Sequence, residues 1–191
     1  IGKKKQKLFI GIPKETEFQE QRVALVPQSV GLLIANGHRV LVETGAGENA
    51  NFNDNDYSET GAEIAYDTSE IYKADIILKV TPPNDHEIDL MKHKQILFSA
   101  LQLTVQPKSA LKKLMDKKIT AIAWDYIEDE GGSFPVIRSM GEIAGTTAVL
   151  IAAELMSNAN EGKGLMLGGV AGITPPEMVI IGAGTVGQFA A

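Results

Sequence analysis

The run Met178-Val179-Ile180-Ile181-Gly182-Ala183-Gly184-Thr185-Val186-Gly187 says most about architecture. Its first four residues are apolar, largely β-branched and without polar alternation, which is the composition of a strand buried on both faces of a parallel sheet. Three glycines at G-x-G-x-x-G spacing follow directly, and Gln188-Phe189-Ala190-Ala191 is compatible with a helix. In a strand, turn and helix of this kind the first glycine permits the tight turn, the second lets a pyrophosphate approach the backbone, and the third packs helix on strand. Free N–H groups at the helix start then face the phosphates. With 19 glycines in the chain such spacings also arise by chance, and a purely structural β–α turn is the competing reading. The flanking strand and helix favour a dinucleotide site, with Gly182, Gly184 and Gly187 as its candidate cofactor-binding residues. The acidic residue that would hydrogen-bond a ribose, ~20 positions further on, falls beyond Ala191.

Towards the amino terminus the same alternation continues. Strand-like runs at Leu8–Ile12, Arg39–Glu43, Asp75–Val80, Gln95–Ser99 and Ile119–Trp124 are separated by helical patterns, the sign of βαβ units and a mostly parallel sheet. Pro27 suits the first helical position and Gly37 a helix end, which predicts a helix over 28–36. Asp54–Thr60 and Thr68–Tyr72 read as shorter helical pieces. Pro107 and Lys117 bracket another, in which Leu111, Leu114 and Met115 share a face. The longest helix is predicted to begin at Ser139, where Ser139 and Glu142 have capping-box spacing. A helical stripe of Ile143, Ala144, Thr147, Ala148, Ile151, Ala152 and Leu155 follows. Before it, Asp129-Glu130-Gly131-Gly132 has the composition of an exposed connection. The expected architecture is α/β: a Rossmann-like (flavodoxin-like) parallel-sheet domain over 1–138, then a linking helix and the truncated start of a second Rossmann domain over 139–191.

Composition removes several classes of function. A net charge of −6 disfavours a broad nucleic-acid surface, which needs clustered Lys and Arg; the one basic run, Lys3-Lys4-Lys5 with Lys7, reads as a solvated terminus. No stretch approaches the ~18 consecutive apolar residues of a membrane span, and the start lacks the apolar core of a secretory signal. The expected location is the cytoplasm. The absence of cysteine removes disulfides, thiolate metal sites and Cys nucleophiles. His38, His86 and His93 have no spacing that makes a metal site, so no metal is expected.

Two cations stand where chemistry could occur. Arg22 lies in Glu20-Gln21-Arg22-Val23-Ala24-Leu25, after the first strand, and its planar fork suits a carboxylate. In open parallel sheets ligands collect at that carboxyl edge. From composition alone, Lys14, Glu15, Glu20 and Arg22 would be surface ion pairs. Lys79 ends the buried run Asp75-Ile76-Ile77-Leu78, where an ammonium is costly to desolvate unless it meets a partner or a ligand; the alternative is a lysine snorkelling to the sheet edge. Trp124 at a later strand end reads as packing.

Taken in order, Gly11-Ile12-Pro13-Lys14-Glu15 through Arg22-Val23-Ala24-Leu25, Asn36-Gly37-His38-Arg39 through Gly45-Ala46-Gly47, Ile77-Leu78-Lys79-Val80, Met140-Gly141-Glu142-Ile143-Ala144-Gly145, Gly168-Gly169-Val170-Ala171-Gly172 and Val179-Ile180-Ile181-Gly182-Ala183-Gly184 resemble the alanine dehydrogenase and nicotinamide nucleotide transhydrogenase family, closest to its alanine dehydrogenases. The resemblance spans nearly the whole chain. It implies a homo-oligomeric, NAD-dependent amino-acid dehydrogenase that reversibly deaminates a small L-amino acid to a 2-oxo acid by hydride transfer. By it, residues 1–138 carry the substrate and catalytic groups. Arg22 binds the substrate carboxylate, Lys79 engages the substrate and polarises its carbonyl or imine, and Glu20 steadies the pocket. Met140 corresponds to the family's Met near substrate and nicotinamide, and Gly141 replaces a cofactor-contacting Ser. The 191 residues alone are expected to be inactive, because the family's later catalytic aspartate and most of its nucleotide domain lie further on.

The sequence departs from the family in Phe98-Ser99-Ala100-Leu101-Gln102-Leu103, where Gln102 occupies the place of the catalytic histidine and Ala100 that of an aromatic residue. Glutamine orients a substrate or water but exchanges no proton near neutral pH. Two other readings follow: an NAD-binding component of a proton-translocating transhydrogenase, and a member that has lost its chemistry. Against the first, Gly131–Met140 lacks the Arg-x-x-x-x-Gln-x-x-Asp type of loop used by such components.

Overall fold

Six short parallel strands build the first part of the chain into one sheet: β1 (Phe9–Ile12), β2 (Arg39–Glu43), β3 (Glu63–Ala65), β4 (Ile76–Leu78), β5 (Ile96–Ser99) and β6 (Thr120–Ala123), in the order β3-β2-β1-β4-β5-β6. The structure is a computed structural model that describes residues 7–168, 170–174 and 176–191. The Lys3-Lys4-Lys5 run, Gly169 and Pro175 lie outside the described residues. The chain divides into two compact units, one ending at Asp125 and the other Tyr126–Ala191.

In the first unit every strand pair is parallel, with Ile10 opposite both Val40 and Ile76, and Leu97 opposite Ile77 and Ala121. The order 3-2-1-4-5-6 is the doubly wound Rossmann order and not the flavodoxin-like one. Alternation along each strand gives the sheet two apolar faces. Ile10, Ile12, Val40 and Val42 pack with Val30 and Tyr57 on one side; Leu41, Ile77 and Leu97 pack with Ile71, Tyr72, Ile88 and Leu114 on the other. Helices α1 (Pro27–Ala35), α2 (Asp54–Glu59), α3 (Thr68–Ile71), α4 (Asp85–Leu90) and α5 (Lys108–Asp116) supply the covering residues. Burial on both faces is why these strands read as near-continuous apolar runs.

Pro27 opens α1, and Gly37 follows its end with φ +88°. Two elements were not expected. β3 is three residues long and forms by pairing with Leu41–Glu43, too short to show a period. α4 is announced by Asn84 and Glu87, which complete a capping box. In α5 the shared face is narrower than predicted: Leu114 is buried, whereas Met115 is exposed.

Gly11 marks the tightest approach in the sheet. A Cβ there would sit 2.6 Å from the Ile71 carbonyl oxygen and 3.0 Å from the Ala74 Cβ. Gly11→Ala is therefore expected to destabilise the first unit by about 1–3 kcal/mol through overpacking against backbone, measured by urea unfolding; an unchanged midpoint would show that α3 shifts freely.

The second unit is built on α6 (Pro135–Met156) and α7 (Thr185–Ala190). α6 starts four residues before the predicted Ser139. Pro135 takes the first helical position, the Ser139 hydroxyl donates to the Pro135 carbonyl, and Glu142 pairs with Arg138, so the expected capping box does not form. α6 is 22 residues long with a mean hydropathy of 1.3 in its most apolar window. By length and composition alone it could cross a membrane, although polar residues interrupt its apolar run. Gly145 is its tightest approach to α7: a Cβ there would lie 2.4 Å from the Val186 carbonyl oxygen.

The predicted buried strand at Met178–Ile181 is not a strand. Val179 and Ile181 are 85% and 97% exposed. An extended segment becomes a strand only when a neighbour takes its N–H and C=O groups, and within the second unit no described strand does so. The turn after it nevertheless forms.

Candidate active site

β1 and β4 are adjacent, and the chain leaves them towards opposite ends of the sheet. This is the topological switch point, where open α/β sheets leave a crevice at the carboxyl ends of their strands. The residues that follow these strands, Pro13–Glu15 and Lys79–Thr81, meet there.

Lys79 comes directly after β4 with its side chain wholly buried. Its Nζ lies 2.8 Å from Glu87 Oε1 and 3.1 Å from Glu15 Oε2, and both carboxylates are 4% exposed. Glu15 also accepts hydrogen bonds from Val80 N at 2.6 Å, Thr81 N at 3.3 Å and the Thr81 hydroxyl at 2.5 Å. Glu87 accepts from Asn84 N at 2.8 Å through its other oxygen. Two carboxylates thus share one ammonium, and backbone N–H groups satisfy the remaining oxygens. Tyr72 lies behind this group. Burial, with the Glu87 charge as a second cause, pushes its hydroxyl far above the usual tyrosine range.

Arg22 lies on the loop that follows Glu15. Its Nε and Nη2 reach Glu20 Oε1 and Oε2 at 2.7 and 2.6 Å, and its backbone N donates to Glu20 at 2.9 Å. The hydrogen-bonded Arg22 guanidinium holds the Glu20 carboxyl below the usual range, and Glu20 raises Arg22 in turn. The Glu15 charge also acts on Arg22. Arg22 is half exposed while Glu20 is largely covered, so the guanidinium is held in one plane by its carboxylate partner.

A cleft of 310 Å3 opens beside this group, lined by Glu17, Thr81, Pro82, Asn84, Gln102 and Gln106 among others. The structure brings Gln102 to the lining of this cleft but neither Arg22 nor Lys79: Arg22 is paired with Glu20 on the preceding loop, and the Lys79 ammonium is enclosed by Glu15 and Glu87. The interior partner that desolvation demanded is a pair of carboxylates. Thr81, Asn84 and Glu87 were missed in the sequence; the Asn84-Asp85-His86-Glu87 spacing was the available signal for the last two. Trp124 donates from Nε1 to the Lys79 carbonyl at 3.3 Å, which ties β6 to the end of β4. His38 accepts from Leu8 N at 3.2 Å, away from this group. Among the described residues no three His, Asp or Glu side chains are grouped to hold a metal.

In the second unit, Gly141, Gly182, Gly184 and Gly187 line one cavity of 610 Å3, within the usual size range of ligand pockets. A Cβ on Gly187 would stand 2.1 Å from the Gly182 carbonyl oxygen, Gly182 has φ +115°, and nothing lies within 4 Å of a Cβ on Gly184. The first and third glycines are required by the turn and the second faces open space, as a backbone approached by a pyrophosphate must. These residues fit a dinucleotide. A Cβ on Gly141 would lie 3.2 Å from the Thr185 Cβ of α7, and Met140 precedes it half-buried.

The family model described as alanine dehydrogenase/PNT, N-terminal domain, matches residues 11–144, and the corresponding C-terminal domain matches 148–191. Alanine dehydrogenase of Bacillus subtilis (strain 168) is 41% identical over 184 residues, which are 96% of this chain and 48% of that protein. Alanine dehydrogenase of Methanococcus maripaludis is 40% identical over 96% of this chain and 49% of its own length. A solved L-alanine dehydrogenase structure superposes with a TM-score of 0.89 at 39% identity, covering 95% of this chain and 50% of the other. For the crystal structure of transhydrogenase from Sinorhizobium meliloti the values are 0.80 and 27%, with 95% and 51% covered. The chain spans about half the length of the curated relatives it matches.

Proposed function

Since the chain belongs to the alanine dehydrogenase/PNT family, we propose that it carries the substrate-binding unit and the opening of the nucleotide-binding unit of an NAD-dependent amino-acid dehydrogenase. The substrate is a small L-amino acid, converted reversibly with NAD+ and water to a 2-oxo acid, ammonium, NADH and a proton. The observation that supports it is the guanidinium of Arg22, held bidentately by Glu20 on the loop that follows β1, the strand whose carboxyl end borders the switch point of the sheet.

Bound NAD+ supplies the hydride acceptor, and Gly182, Gly184 and Gly187 are the residues to hold its pyrophosphate. The chain's own residues act on the substrate. Arg22 takes the carboxylate through its planar donors. Gln102 orients the reacting nitrogen or a water by hydrogen bonding and moves no proton itself. Lys79 acts from behind the cleft, fixing Glu15 and through it the wall at Val80 and Thr81. Relatives named alanine dehydrogenase at about 40% identity favour this reading over the transhydrogenase component, for which the solved relative stands at 27%. Self-association as a homo-oligomer belongs to the same proposal.

The test is NADH formation by the full-length protein over a panel of L-amino acids. Turnover with at least one small amino acid is expected, and none from a folded sample would end the reading. Gln102→His separates lost chemistry from altered chemistry, since a gain from no activity identifies the former.

A further inference from the structure

Gln102 has φ +44°, a conformation that L side chains rarely adopt. Its neighbours account for it. β5 and β6 pair with Ser99 opposite Ala123, which carries Leu101 and Asp125 forward level with each other. The Asp125 carboxylate then receives both backbone donors of the turn, Leu101 N on Oδ1 at 3.1 Å and Gln102 N on Oδ2 at 3.3 Å. The Gln102 carbonyl accepts from Val105 N at 2.9 Å and closes the loop on its other side. The Gln102 side chain is exposed and lines the cleft. Trp124, the residue before Asp125, holds the Lys79 carbonyl. The end of β6 therefore grips both cleft walls, one through an indole N–H and the other through a carboxylate.

We propose that Asp125 is a positioning residue that holds Gln102 in its left-handed turn and so aims the Gln102 carboxamide into the cleft. The proposal rests on the dehydrogenase reading where activity is its readout. A carboxylate is the side chain that can receive two successive N–H groups at once and, being ionised, binds them more strongly than a neutral acceptor. Backbone held away from its ordinary regions persists where its surroundings over-determine it, and such places gather at binding sites.

The experiment compares Asp125→Ala, Gln102→Ala and the double variant in the full-length protein, with kcat and KM measured for the L-amino acid that the parent turns over fastest. Each single substitution is expected to lower kcat/KM by about tenfold through misplacement of the substrate. The double variant should fall no further than Gln102→Ala, because Asp125 acts through Gln102. Asp125→Asn keeps one acceptor, and should fall between parent and Asp125→Ala. Additive losses, or an Asp125→Ala variant with unchanged kcat/KM, would overturn the assignment. A crystal structure of Asp125→Ala gives a second readout that needs no turnover. Gln102 should leave the left-handed region, and a retained positive φ with the carboxamide still in the cleft refutes the positioning role. Where the parent turns over no amino acid, the dehydrogenase reading fails alone and this structure decides the role of Asp125.

Discussion

Lys79→Met should lower the stability of the first unit by about 3–5 kcal/mol, the usual cost of stripping one partner from a buried ion pair. Methionine fills most of the stem's volume, so the loss does not come from a cavity. It comes from Glu15 and Glu87, each 4% exposed and within 3.1 Å of the ammonium, which would face one another without a cation. Urea unfolding of parent and variant at neutral pH checks the size of the loss. Lys79→Met combined with Glu15→Gln and Glu87→Gln removes the stranded charge and should recover part of the loss. A single variant that loses under about 1 kcal/mol would show that water reaches the triad and screens it.

The legible part of this fold was the part that repeats. β1, β2, β4 and β5 show as apolar runs because a parallel sheet buries most of both their faces, β6 shows as a short run although it lies exposed at the edge, and Pro27 and Gly37 mark α1 through fixed and permissive φ. β3 was invisible because three residues carry no period and Glu63 and Ile64 gain their conformation from Leu41 and Val42 across the ladder. Met178–Ile181 is apolar as read but forms no strand among the described residues, since composition reports what a segment can bury and not whether a partner strand is paired with it. The site divides in the same way. The ion pair of Arg22 with Glu20 and the three glycines of the turn follow from local chemistry. The enclosure of Lys79 does not, because its two carboxylates come from positions 64 residues before it and 8 after it. The hold of Asp125 on Gln102 spans 23 residues and depends on the register of β5 against β6. No local pattern encodes either.

Arg22→Ala in the full-length protein should lower kcat/KM by about a hundredfold, corresponding to ~3 kcal/mol for a lost charged anchor. The fall should lie mainly in KM, because the guanidinium grips a carboxylate that is present in both ground state and transition state. Arg22→Lys should recover only part of it: an ammonium restores charge but not the planar fork that Glu20 holds through Nε and Nη2. A substrate lacking the carboxylate isolates the contact. The parent should discriminate strongly between an L-amino acid and its amide, and Arg22→Ala should erase most of that preference by weakening the acid and leaving the amide nearly unchanged. The Glu20 carboxyl, held low by Arg22, remains ionised above the ordinary carboxylate range, so this orientation persists at neutral pH and is lost only when acidification protonates Glu20. If Arg22→Ala weakens acid and amide equally, the residue shapes the loop without meeting the substrate, and the carboxylate must be bound elsewhere.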